Sequence, residues 1–135
     1  MGRRGIKAKG DGRRVVREVA ASLGAPVELV EVFSELFEPL ESLGSRPAEV
    51  ARLLGAAGIG RGSRVLDLGC GKGSVAVELA SRLGCRVVGV DGFEPFVKSA
   101  RGAAKEAGVS GLCRFRVGDV GAYEMGRGRF DGAVM

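Results

Sequence analysis

Three aspartates stand at or near the ends of short apolar runs, and their spacing is the first chemical signal in this chain. Asp67 lies inside VLDLGCGKGS (residues 65–74), Asp91 closes VVGVD (87–91), and Asp119 follows FRVG (115–118). A carboxylate held between Leu66 and Leu68 is costly to bury unless it is hydrogen-bonded or faces a cation. Asp67 therefore either ties down the N–H groups of the loop that follows or meets a positively charged ligand, and the two roles are compatible. That loop carries glycine at alternate positions, Gly69, Gly71 and Gly73. Glycines there permit unusual dihedrals and let a ligand lie against bare backbone. A helix starting near Gly73 would add free N–H groups and partial positive charge, which favour an anionic group.

Two phosphate motifs compete for this loop. A P-loop needs G-x-x-x-x-G-K-[ST], but here Gly71-Lys72 is followed by Gly73, and Leu66 takes the place of the first glycine. That option fails. The dinucleotide fingerprint can be laid through Gly71, Gly73 and Ala76, with Asp91 as the ribose acid, which keeps an NAD-dependent oxidoreductase fragment as an alternative. It leaves Asp67 and Gly69 without a purpose. Asp91 sits where an open parallel sheet binds ligands, beyond the carboxyl end of a strand, and can accept from both hydroxyls of a ribose or cap a helix. Phe93 offers an apolar face to an adenine, or a core residue. Asp119, after Gly118, repeats the pattern on a third run, so the three acids converge on one crevice.

The elements that must position them follow from the rhythm of the chain. Apolar runs at 64–68, 86–90, 113–117 and 130–134 read as strands, with helices expected at 73–83 and 94–107. Strands alternating with helices predict a parallel, doubly wound α/β sheet. Upstream, 13–23 is a short helix candidate. From 27 to 43 Leu29, Phe33, Leu36, Leu40 and Leu43 recur at helical spacing beside Glu28, Glu31, Glu35 and Glu38, and a third helix is expected over 48–57. The expected organisation is a flexible basic arm over 1–12, a helical segment over 13–57 and a partial Rossmann-like domain over 58–135.

The chain has 135 residues, room for one domain with a real core. Its three cysteines form no C-x-x-C pair and it has no histidine, so neither a metal site nor a disulfide framework is expected. A reducing cytoplasm fits, and no apolar run is long enough to span a membrane. The net charge of +5 is unevenly spread: residues 1–17 carry seven cations and one acid, while the other 118 carry 14 cations and 15 acids. A basic arm with Arg3, Arg4, Lys7, Lys9, Arg13 and Arg14 is able to bind nucleic acid, but no aromatic residue is interleaved with it. It reads rather as a solvated, disordered leader.

Taken together, D-x-G-x-G-x-G at 67–73, VGVD at 88–91, VGDV at 117–120 and RFDGAVM at 129–135 resemble the class I S-adenosylmethionine-dependent methyltransferases. The resemblance covers about residue 47 to the end. It implies a Rossmann-like sheet of strand order 3-2-1-4, and S-adenosylmethionine held by Asp67, Gly69, Cys70, Gly71, Gly73, Asp91, Gly92, Phe93, Asp119 and Val120. In that family Gly69 and Gly71 would pass under the methionine part, with Asp67 supporting the loop and facing the amino or sulfonium side. Asp91 would hold the ribose hydroxyls, and Asp119 would accept from the adenine amino group beside Val120.

The family reaction is an in-line displacement of the methyl group from sulfur by a nucleophile. Positioning and desolvation carry much of it, so the lack of histidine is no obstacle. The family's sheet usually has seven strands, whereas this chain is expected to end with the fourth. The reading is thus of a truncated methyltransferase with an open sheet edge available for self-association. A small-molecule acceptor is preferred, no catalytic residue is assigned, and a non-catalytic cofactor-binding remnant or interaction module is the alternative.

Overall fold

The structure, a computed structural model, describes residues 46–124 and 129–135, together with Arg17, Ala21 and Pro26. Arg17 and Ala21 are helical and exposed, within the first predicted helix. The basic arm and the amphipathic helix expected over 27–43 lie outside the described residues. The chain divides into two units, Met1–Pro39 and Leu40–Met135, and the elements below belong to the second.

Helix α1 (Pro47–Ala56) precedes strand β1 (Arg64–Leu68), helix α2 (Ser74–Leu83), strand β2 (Arg86–Asp91), helix α3 (Glu94–Glu106), strand β3 (Cys113–Val117) and strand β4 (Gly132–Val134). A single 3₁₀ turn, Val120–Ala122, follows β3. The four strands form one parallel sheet in the order β3-β2-β1-β4, the doubly wound arrangement expected. Registers are direct: Asp67 lies beside Gly89 on β2 and Val134 on β4, and Asp91 lies beside Val117 on β3. Strand β4 starts two residues later than predicted. Asp131 is spent on joining the strands instead, its amide donating to the Arg64 carbonyl at 2.7 Å and its carboxylate accepting from the Arg64 amide at 2.8 Å.

One face of the sheet, bearing Val65, Val87, Cys113 and Phe115, packs against the helices. Helix α2 contributes Val75, Ala76, Leu79 and Ala80, spaced to fall on one side, and α3 contributes Val97, Ala100 and Ala104. Fully burying a side chain such as Leu79 stabilises the fold by roughly 2–3 kcal/mol. The small residues of α3 let it approach closely. At Gly73 an added Cβ would stand 2.8 Å from the Ala100 Cβ, so glycine there is a packing requirement as well as a turn. Among the described residues, no helix is long and apolar enough to cross a membrane.

Candidate functional site

The GxGxG spacing has a direct backbone reading. Gly69, Gly71 and Gly73 have φ of 70°, 54° and 83°, the left-handed region that side chains with a Cβ rarely adopt. Three such residues at alternate positions fold the segment between β1 and α2 back over the carboxyl ends of the strands. The Gly69 and Cys70 amides both donate to the Val90 carbonyl, at 2.8 and 3.1 Å. Gly89 makes room for this fold: an added Cβ would lie 2.6 Å from the Phe115 ring and 2.9 Å from the Cys70 Cβ. At Gly73 the loop enters α2, whose N-cap has no side-chain hydrogen bond.

The acid that pins the loop is Asp91, not Asp67. Its Oδ2 accepts from the Gly71 amide at 2.9 Å and its Oδ1 from the Phe93 amide at 2.8 Å. One carboxylate thus secures both the glycine loop and the entry to α3. Each oxygen retains a further lone-pair direction, so capacity for hydroxyl donors remains. The supporting role expected of Asp67 is therefore filled by its neighbour.

Asp67 is 4% exposed, and its Oδ2 is buried with no hydrogen-bond partner. Burial, and next the charge of Asp91, push its carboxyl up from 3.8 to about 7. An orphaned carboxylate oxygen is an unmet demand for a cation or a donor. It lines a cavity of about 400 Å³ together with Gly69, Cys70, Gly71, Asp91 and Ser74. A Cβ at Gly69 would meet nothing within 4 Å, so the loop presents bare backbone on that side. Such a cradle fits a ligand that brings positive charge to Asp67 and hydroxyl groups to Asp91.

Five of the ten residues singled out in the sequence line this cavity: Asp67, Gly69, Cys70, Gly71 and Asp91. The other five do not line it. Gly73 packs on α3, and Gly92 faces the Gly118 carbonyl, 3.7 Å from where its Cβ would be. Phe93 is the N-cap of α3 and meets Phe96 edge-to-face at 4.7 Å between centroids. Asp119 is exposed and caps the 3₁₀ turn that holds Val120, accepting from the Gly121 amide at 2.8 Å. The third strand end is nonetheless tied to the second, since the Gly118 amide donates to the Asp91 carbonyl at 3.0 Å.

Sequence reasoning missed Val50, Lys72, Ser74, Val75, Val134 and Met135 as lining residues. Of these, Val134 was within reach, because it stands beside Asp67 once strand order 3-2-1-4 is assumed. The surroundings of Cys70 disfavour the nucleophilic thiolate. Burial, reinforced by Asp67 and Asp91, drives its thiol up to about 12. Among the described residues, no group of three acids or cysteines is placed to hold a metal.

With this geometry in place, comparison with known proteins is decisive. Residues 65–135, more than half of the chain, match the family model described as a methyltransferase domain. The chain belongs to this family. It is 37% identical over 75 residues to the sterol 24-C-methyltransferase of Saccharomyces cerevisiae, a match covering 56% of this chain and 20% of that one. A solved RNA methyltransferase from Salinibacter ruber, in complex with S-adenosyl-L-homocysteine, superposes with a TM-score of 0.56 at 36% identity, covering 60% of this chain and 53% of the other. A S-adenosylmethionine-dependent methyltransferase from Thiobacillus denitrificans, with the same ligand, gives a TM-score of 0.67 at 29% identity, covering 76% and 41%. The methyltransferase-domain chain thus spans about a fifth of the yeast relative and about half or less of the two solved ones.

Proposed function

We propose that this methyltransferase domain binds S-adenosylmethionine in the cavity at the carboxyl ends of β1 and β2 and serves methyl transfer. The observation that carries the reading is the orphaned, buried Asp67 Oδ2 beside a bare glycine cradle and a second carboxylate. Bound there, the cofactor would supply an electrophilic methyl group on a sulfonium centre. Asp67 would provide negative charge to its cationic end, and Gly69, Cys70 and Gly71 would present backbone to its amino-acid portion. Asp91 would accept from the ribose hydroxyls while holding the loop through Gly71. Gly92, Phe93, Asp119 and Val120, at the neighbouring strand ends, would flank the adenine. Gly73 would act indirectly, by seating α2 against α3.

The methyl donor needs no protein base, so the chain's contribution is positioning and exclusion of water. The acid at Asp67, set away from water, favours a cationic ligand over a neutral one of the same shape. Two solved relatives hold S-adenosyl-L-homocysteine, which supports the cofactor assignment. The dinucleotide alternative left Asp67 and Gly69 without a role, and both line the cavity.

The reading extends to the setting. Three free cysteines support a reducing cytoplasm. The outer edge of β4 pairs with no strand among the described residues, and we place self-association there. A thermal-shift series tests the cofactor assignment. S-adenosylmethionine and S-adenosylhomocysteine should raise the unfolding midpoint and NAD should leave it unchanged. Stabilisation by NAD alone would overturn it.

A further inference from the structure

The face of the sheet turned away from α2 and α3 carries a second cavity, of about 600 Å³, which shares no lining residue with the first. Its chemistry is set by strand register. Arg64 on β1 and Arg86 on β2 are direct partners, while Arg114 and Arg116 on β3 stand beside Val88 and Val90. Alternation along the strands puts all four on this one face. Adjacent strands lie about 4.8 Å apart and alternate residues about 6.6 Å apart, so the four positions step diagonally across three strands. Arg129 lines the same cavity, and all five arginines are exposed.

Like charges placed directly opposite each other destabilise a sheet, and no acid among the described residues forms an ion pair with them. Among the described residues the ion pairs are Arg46–Glu49 and Arg82–Glu78, and neither uses any of the five. The nearest acid in sequence, Asp131, gives its carboxylate to the Arg64 backbone amide. Two aromatic residues line the same cavity. The Arg64 guanidinium sits 5.7 Å from the centroid of the Phe130 ring, and Tyr123 is half-buried beside the group.

We propose that this arginine face is a binding surface for single-stranded RNA. Planar guanidinium forks match phosphate oxygens two at a time, which suits a backbone of repeating charge. Interleaved aromatic rings give unstacked bases a surface to lie on, a feature that an acidic peptide would not use. Unpaired segments with splayed bases are the form in which RNA is commonly recognised. The surface is independent of the cofactor cavity, so it stands or falls apart from the proposed methyl transfer.

Fluorescence anisotropy of the full chain with a labelled 20-nucleotide single-stranded RNA, from 50 to 200 mM KCl, tests it. Arg114→Gln with Arg116→Gln should weaken binding tenfold or more at 150 mM salt. The slope of log affinity against log salt should fall by about 1.4, from about 0.7 per lost phosphate contact. A control with the same loss of charge elsewhere, Arg52→Gln with Lys98→Gln, should stay within twofold. Arg64→Gln with Arg86→Gln should reproduce the loss, which guards against a folding defect in either pair. Unfolding midpoints are measured on every variant. Equal losses in face and control variants would overturn the proposal, since general charge attraction would then be responsible. So would binding carried wholly by Arg3, Arg4, Lys7 and Lys9, revealed by their replacement with glutamine. Competition by polyglutamate or phosphatidylserine vesicles as effective as that by RNA, charge for charge, would overturn the assignment to RNA.

Discussion

The Gly71 amide donates to Asp91 Oδ2 at 2.9 Å, across 20 residues of sequence. This bond joins the glycine loop to the end of the neighbouring strand, so the shape of the cradle depends on the carboxylate that the ligand is proposed to use. Asp91→Ala should therefore affect both properties. Two backbone donors lose their acceptor, which destabilises the fold by roughly 1–3 kcal/mol, and cofactor affinity should fall by a factor of a hundred or more. Urea unfolding and calorimetry measure the two separately. An Asp91→Ala protein with native affinity would show that the strand-end acid takes no part in binding.

Two glycines of one motif should respond differently to the same substitution. Gly73→Ala drives a Cβ to 2.8 Å from Ala100 at a φ of 83°, and should destabilise the protein by roughly 2–4 kcal/mol. Gly69→Ala meets no atom within 4 Å, so only its left-handed backbone is strained, for about 1–2 kcal/mol. Gly69 lines the cavity, however, so the added methyl should reduce cofactor binding more than its effect on stability suggests. Thermal unfolding and ligand titration of the two variants check the contrast.

Asp67 makes stability depend on pH with a definite sign. Its carboxyl titrates near 3.8 when unfolded and at about 7 when folded. Between these values the folded state binds the extra proton, so stability falls as pH rises and the loss is complete above about 7. The difference amounts to at most roughly 4 kcal/mol. Asp67→Asn should therefore be stabilising at pH 8 and close to neutral below pH 4 in urea unfolding. A cation bound beside Asp67 favours its charged form, so affinity for S-adenosylmethionine should rise from pH 6 to pH 8, and Asp67→Asn should flatten that rise.

All three cysteines are buried and free, and burial raises each thiol above its ordinary value. The folded protein should react with Ellman's reagent far more slowly than the urea-unfolded chain. Rapid labelling of one thiol under native conditions would contradict the packing of Cys70 under its loop.

Much of this was legible in the sequence, for physical reasons that differ by element. Strands 64–68 and 113–117 were bounded correctly because apolar runs between glycines and charges leave few alternatives. Helices α2 and α3 were placed within a residue at each end by Gly84 and by the acid and proline of the Glu94-Pro95 start. What stayed hidden needed register. That Asp91 rather than Asp67 secures the loop depends on which strand end lies nearer Gly71, and a list of acids does not contain it. The arginines at 64, 86, 114 and 116 read singly as polar residues of three short runs. Only the pairing of β1 with β2 and of β2 with β3 gathers them on one face.

The most direct test of the cofactor site is isothermal titration calorimetry of the full chain with S-adenosylmethionine, S-adenosylhomocysteine and NAD at pH 8. Saturable binding of both sulfur nucleosides, its loss in Asp91→Ala and no heat from NAD are expected. Binding of NAD with no heat from either sulfur nucleoside would contradict the cavity of Asp67, the glycine loop and Asp91 as a S-adenosylmethionine site.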